Sequence, residues 1–179
     1  MRLIETRGAK IGRCNICGNV GNLTDDHTPP KGCTRIGAVQ LHYITERLNV
    51  GKTKSNGRIS QNGVKYRTLC AHCNSTMLGI HYDPTFIDFV NSIPSILKSD
   101  LYLPGVIPIK TKPQRVMRSL LGHLSAQGVN GYNKGEFTEP IRDYILDETK
   151  PLPDSLKIYT LSLHDALPEI GRASCRERV

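Results

Sequence analysis

The 179-residue chain carries a formal charge of +8 at pH 7, has no tryptophan and is 6% aromatic, which allows one domain with a small apolar core. No stretch is apolar enough for a signal peptide or a membrane-spanning helix, so a membrane role drops out and a reducing cytoplasm is expected. The basic surplus points to an anionic partner, and nucleic acid is the usual one, because Lys and Arg displace counterions condensed on phosphates.

In chain order, the first signal is a Cys-x-x-Cys knuckle, Cys14 and Cys17, closed by Gly18. A turn at Gly21-Asn22 and a strand over residues 23–27 follow, halted by Pro29 and Pro30, so Asp26 and His27 stand at a strand end. Residues 31–56 read as a loop-rich insertion with one short helix. Asn62-Gly63, flanked by alternating residues over 58–69, predicts a hairpin that supplies a second strand. Val64 and Tyr66 then share one face, Lys65 and Arg67 the other. Cys70 and Cys73 form a second knuckle, followed at once by Asn74 near the first turn of a helix.

The remainder reads as helical. Over 83–93, Asp83 is the expected N-cap, Pro84 takes N1, Phe86, Phe89, Val90 and Ile93 face inward, and Pro94 ends the helix. Over 111–128, Thr111 caps, Val116, Met117, Leu120, Leu121 and Leu124 face inward, and Gly128 stops. A third short helix around Ile141, Tyr144 and Ile145 precedes a linker with Pro151 and Pro153 and a strand over 156–160. Residues 160–168 and 169–179 resemble translations of the two strands of a common short-read sequencing adapter. The expectation is therefore an artefactual tail over 160–179, with the natural chain continuing past Tyr159. The three arginines of that tail offset Asp165, Glu169 and Glu177, so the basicity belongs to residues 1–159.

Four thiolates at this spacing can close a tetrahedral zinc site that pins two distant segments together, and a reducing compartment favours metal over disulfide. Structural zinc contributes about 10–16 kcal/mol of apparent binding energy in small modules, enough to offset a thin core. Once Cys175 in the tail is set aside, Cys33 is left over and reads as a small buried residue.

Residues 14–32 (CNICGNVGNLTDDHTPPKG) and 69–79 (LCAHCNSTMLG) together resemble the HNH endonuclease family, in its zinc-containing subgroup whose motif ends in Asn. The resemblance implies an α+β fold, with a zinc-stapled ββα-metal (HNH, His-Me finger) module over residues 1–81 and a mainly helical extension over 82–159. It implies a metal-dependent endonuclease that hydrolyses DNA and leaves a 5′-phosphate. His27 would be the general base, Asp26 and Asn74 would hold magnesium or manganese, and Cys14, Cys17, Cys70 and Cys73 would hold structural zinc.

The residue types suit those roles. Phosphodiester hydrolysis needs an activated water and stabilisation of added negative charge. Carboxylate and amide oxygens suit a hard cation, and an imidazole with an ordinary pKa of about 6.5 can accept the water's proton. Lys31, Lys65 and Arg67 are candidates to meet flanking phosphates without reading bases, and the helical extension is expected to contact DNA or a protein partner. The chain departs from the family pattern at Lys65, where the bracing Asn is expected; Asn62 is an off-register candidate.

Plainer readings stand beside these. Asp26 and His27 can form a surface turn, Asn74 can cap a helix, His72 and His81 are either substitute metal ligands or surface or packing residues, and His123 can be a packing residue of its helix. Gly51-Lys52-Thr53 lacks the upstream glycine of a phosphate loop, having Glu46 there, and Lys52, Lys54 and Arg58 read as a solvated basic loop. The rival functions are a zinc-ribbon-like module that binds nucleic acid or protein without cutting, and an HNH-like scaffold that has lost activity.

Overall fold

The computed structural model describes residues 5–34, 37–41, 58–98, 106–154 and 156. The short helix expected in the insertion, the basic loop around Lys52, the strand expected over 156–160 apart from Leu156, and the tail over 160–179 lie outside them. The fold is α+β. Its strands are β1 (Ile11–Arg13), β2 (Val20–His27), β3 (Val39–Leu41), β4 (Arg58–Ser60) and β5 (Lys65–Cys70). Its helices are α1 (His72–Tyr82), wound with π-type hydrogen bonds, α2 (Asp83–Leu97), α3 (Pro113–Ala126) and α4 (Thr138–Leu146).

Strands β1, β2 and β5 form an antiparallel sheet in that order, and β3 pairs separately with β4. The turn expected at Gly21-Asn22 is instead strand, because Gly21 and Asn22 pair with Gly12 and Ile11 of a β1 edge that carries no strong pattern of its own. Asn62 and Gly63 do turn the chain with φ of 61° and 77°, as an Asn-Gly turn prefers. The expected hairpin does not close around them, however. Strand β4 takes β3 as its partner and β5 takes β2, since β5 buries Thr68 and Leu69 against the core.

The helix expected near Asn74 begins earlier, at His72, and runs without a gap into α2. Position 81, the expected module boundary, falls inside this continuous helical run. Asp83 is not an N-cap: Tyr82 occupies that position, and the Asp83 carboxylate is used in a tertiary contact instead. Pro94 does not end α2, which continues to Leu97. A proline one turn from a helix end removes a single hydrogen bond, and the last turn still closes through Lys98 N–H to the Pro94 carbonyl, 3.0 Å.

Helix α3 corrects the expectation most. Leu120 and Leu124 are 37% and 48% exposed, while Ser119, Gly122, His123 and Ala126 are buried. These four recur at helical spacing, so the inward face joins a small, largely polar stripe to the expected Leu121, which is buried, and Met117, which packs against the core, and Gly122 lets Leu78 of α1 pack directly against the α3 backbone. The core gathers Cys14, Ile16, Leu69, Cys73, Leu78, Tyr82, Leu121, Ala126, Tyr144 and Ile145 into one cluster drawn from both halves of the chain. Buried Arg118 stacks 4.0 Å over Tyr144 and donates to the carbonyls of Tyr144, Asp147, Glu148 and Lys150. It thereby satisfies backbone acceptors that the end of α4 leaves open.

Candidate metal centre and adjoining polar cavity

The first knuckle is shaped by local backbone bonds: Gly18 N–H donates to the Cys14 carbonyl (3.0 Å) and Cys14 N–H to the Asn19 carbonyl (2.9 Å). Gly18 has φ of +76°, a conformation open to glycine at little cost. The Asn15 side chain then donates to the carbonyls of Ser125 and Gly128, both at 3.1 Å, which ties the knuckle to the end of α3. The second knuckle joins the end of β5 to α1.

The Sγ atoms of Cys14, Cys17, Cys70 and Cys73 all lie within 4.8 Å of one another, with Cys17 and Cys70 at 3.7 Å. A tetrahedral zinc with Zn–S bonds of about 2.3 Å sets its sulfurs about 3.8 Å apart, so the four thiols fit one zinc ion. A hydrogen bond from Cys73 pushes the Cys14 thiol down to about 4 against the opposing effect of burial. Burial pushes Cys17 up to about 11, and Cys73 is raised by its bond to Cys14 and by burial. Thiolates this close repel one another, and a divalent cation among them removes the repulsion.

A second cluster lies where β2 ends. A cavity of about 380 Å³ is lined by Asp25, Asp26, His27, Pro30, Lys31, Asn74, Ser75, Gly79, Asp83, Ile87 and His123. Strand pairing sets Asp25 opposite Arg67, Asp26 opposite Tyr66 and His27 opposite Lys65, after a register shift between Thr24 and Asp25 that leaves Thr68 as the extra residue of β5. Bulges of this kind re-aim the side chains beyond them. Beyond the strand, Asn91 of α2 donates to the Gly32 carbonyl (3.1 Å), which holds the segment bearing Lys31 against the cavity.

Asn74 shares the helix start with Cys73, so the thiol cluster fixes its backbone. Its Nδ2 donates to Thr24 Oγ1 (2.9 Å) and to the Asp25 carbonyl (3.2 Å), which leaves Oδ1 as the amide's ligand atom. His27 Nε2 is buried without a hydrogen-bond partner. Burial, then Lys65 and Lys31, lower the pKa of this imidazole, while Asp26 and the Asn62 backbone carbonyl pull the other way. In a neutral imidazole one ring nitrogen carries a lone pair that can accept a proton.

Asp26 is 2% exposed. Its Oδ2 accepts from Thr28 Oγ1 (3.3 Å) and lies 3.0 Å from His123 Nδ1. The other ring nitrogen, Nε2, lies 3.0 Å from Asp83 Oδ1, which also accepts from Ser119 Oγ at 2.7 Å. Burial alone would lower the His123 pKa, but hydrogen bonds and attraction from Asp26 and Asp83 outweigh it and raise it to about 9. At neutral pH the ring is an imidazolium that donates to both carboxylates.

Asp26, His27, Asn74 and Lys31 therefore meet at one cavity. Lys65 faces His27 across the strand pair, and Arg67 is committed to Asp25 at 2.9 Å. His123 and Asp83 are the site residues that motif reading overlooks; the signal for them was the small polar stripe of α3. No family model, curated protein or solved structure matches the chain. Among the described residues, no helix is long and apolar enough to cross a membrane.

Proposed function

We propose that the protein is a divalent-metal-dependent endonuclease that hydrolyses DNA phosphodiester bonds, with a ββα-metal site of HNH type stapled by structural zinc. The observation that carries this reading is His27, which lines a cavity shared with Asp26 and Asn74 and has an Nε2 without a hydrogen-bond partner. A buried nitrogen without a partner costs stability, and a general base awaiting a water is a physical reason to retain one. Its lowered pKa keeps the imidazole neutral at cellular pH, ready to take a proton.

Asp26 and Asn74 are the residues that would hold magnesium or manganese, whose chemistry when bound is to stabilise charge on the phosphoryl and leaving oxygens. The oxygen donor set fits a hard cation rather than zinc. Lys31 and Lys65 would position the strand through its phosphates, a role less suited to Arg67 while Asp25 occupies it.

Zinc-loaded protein is expected to nick supercoiled plasmid with magnesium or manganese. His27→Ala should lower the rate by on the order of 10²–10⁴-fold with zinc content unchanged and thermal stability not lowered. Equal nicking by both proteins would sink the proposal. A second reading, a zinc-dependent module that grips nucleic acid or protein without cutting, draws support from the pairing of Asp26 with His123, which also reads as a satisfied structural network. Tight DNA binding with no metal-dependent nicking would favour it.

A further inference from the structure

We propose that His123 is a positioning residue that fixes the Asp26 carboxylate for a hard divalent cation, with Asp83 and Ser119 holding the imidazole from behind. This rests on the reading of Asp26 as a cation ligand. Both hydrogen bonds to the Asp26 side chain fall on Oδ2, so Oδ1 is the oxygen left for a ligand. The opposite ring nitrogen is fastened to Asp83, and Asp83 in turn to Ser119. The strut runs from β2 through α3 to α2, and His123 and Asp83 are themselves part of the cavity wall.

Asp26, His123 and Ser119 are 4% exposed or less, so solvent competes little for their bonds. A carboxylate at a strand end next to a bulge otherwise has rotamer freedom to lose when it takes a cation. Holding it in advance removes that cost, which is how groups outside a coordination sphere raise affinity. The helices beyond the motif are thereby part of the site.

The test compares two amides of equal charge. The Asn amide nitrogen stands near the imidazole Nδ1 position, so His123→Asn keeps a donor toward Asp26. The Gln amide nitrogen stands near the Nε2 position, so His123→Gln keeps the contact with Asp83 and loses Asp26. Manganese binding to zinc-loaded protein, followed by electron paramagnetic resonance, should be about tenfold or more weaker in His123→Gln than in His123→Asn, at equal zinc content. Equal affinities would overturn the proposal, because a role confined to structure does not distinguish the two ends of the ring.

Absence of manganese binding by the unsubstituted protein would overturn it as well. If the unsubstituted protein binds manganese and the amides differ as expected, yet plasmid is not nicked, positioning stands and the nuclease reading falls. Nicking with indistinguishable amides gives the reverse. Should both variants lose zinc, the ring nitrogen resonances of His123 in the unsubstituted protein decide. A shift during magnesium titration, with exposed His72 and His81 unmoved, supports the proposal, and an unmoved His123 overturns it.

Discussion

Two clusters of titratable groups meet at the start of α1, and they are built in different ways. The thiol cluster draws on two short knuckles, one closed by its own backbone bonds and one joining β5 to α1, which the pairing of β2 with β5 brings together. The cavity draws on β2, the segment after it, α1, α2 and α3, and depends on a buried imidazole held between two carboxylates. Cys73 and Asn74 are adjacent in sequence, so the first cluster holds part of the second in place. The comparison teaches that a local motif can anchor a site whose chemistry is completed by residues far along the chain.

The widest test of that dependence is zinc removal. Zinc binding of about 10–16 kcal/mol exceeds or matches the whole stability of an ordinary domain, about 5–15 kcal/mol. Chelation or Cys73→Ser should therefore abolish cooperative unfolding and disorder the cavity as well. Circular dichroism alongside zinc quantitation checks this, and a stripped protein that still melts cooperatively would separate the two clusters.

A smaller effect distinguishes the cavity from the thiol cluster by pH. His123 has its folded pKa raised to about 9 from 6.5. Its stabilisation is complete below about pH 6.5 and is lost as pH rises through about 9, a contribution of about 3 kcal/mol. Denaturant titrations of zinc-loaded protein without magnesium should show the gap between unsubstituted protein and His123→Gln shrinking over that window. A constant gap would mean that the imidazole is not charged in the folded state.

Next in size is the contact between α1 and α3. A Cβ at Gly122 would lie 2.3 Å from Leu78 Cδ2, and overpacking of a filled core costs about 1–3 kcal/mol. Gly122→Ala should lower stability by that amount and perturb the cavity while leaving zinc stoichiometry unchanged; an unaltered midpoint would show that Leu78 can give way freely.

The smallest expected effect is on the pH profile of nicking. Because His27 titrates below its ordinary 6.5, activity should have its acid limb below that pH. Lys65→Ala should move the limb upward, since a nearby positive charge that disfavours imidazolium is removed. A limb that stays in place in this variant would argue that Lys65 does not reach His27.

Much of this was legible early. The Cys-x-x-Cys spacing, the Asp-His pair before two prolines and the Asn after the second knuckle each depend on near neighbours, and these residues do converge. The Asn62-Gly63 turn was legible for the same reason. The partner of the strand before it was not, because two chain segments compete for each edge and a turn does not decide between them. Asp83 next to Pro84 looked like a cap from its neighbours alone, until a continuous helix put Tyr82 there and gave the carboxylate to His123 and Ser119.

The sequence by itself determined the ligand types and their local geometry, because knuckles and turns close over a few residues and obey short-range backbone rules. Tertiary structure alone decided that α3 turns Ser119, Gly122 and His123 inward and leaves Leu120 and Leu124 outside. Hydrophobic pattern favours the leucine face, but a buried carboxylate demands a partner, and leaving Asp26 and Asp83 unpaired inside the fold would cost more than exposing two leucines in part.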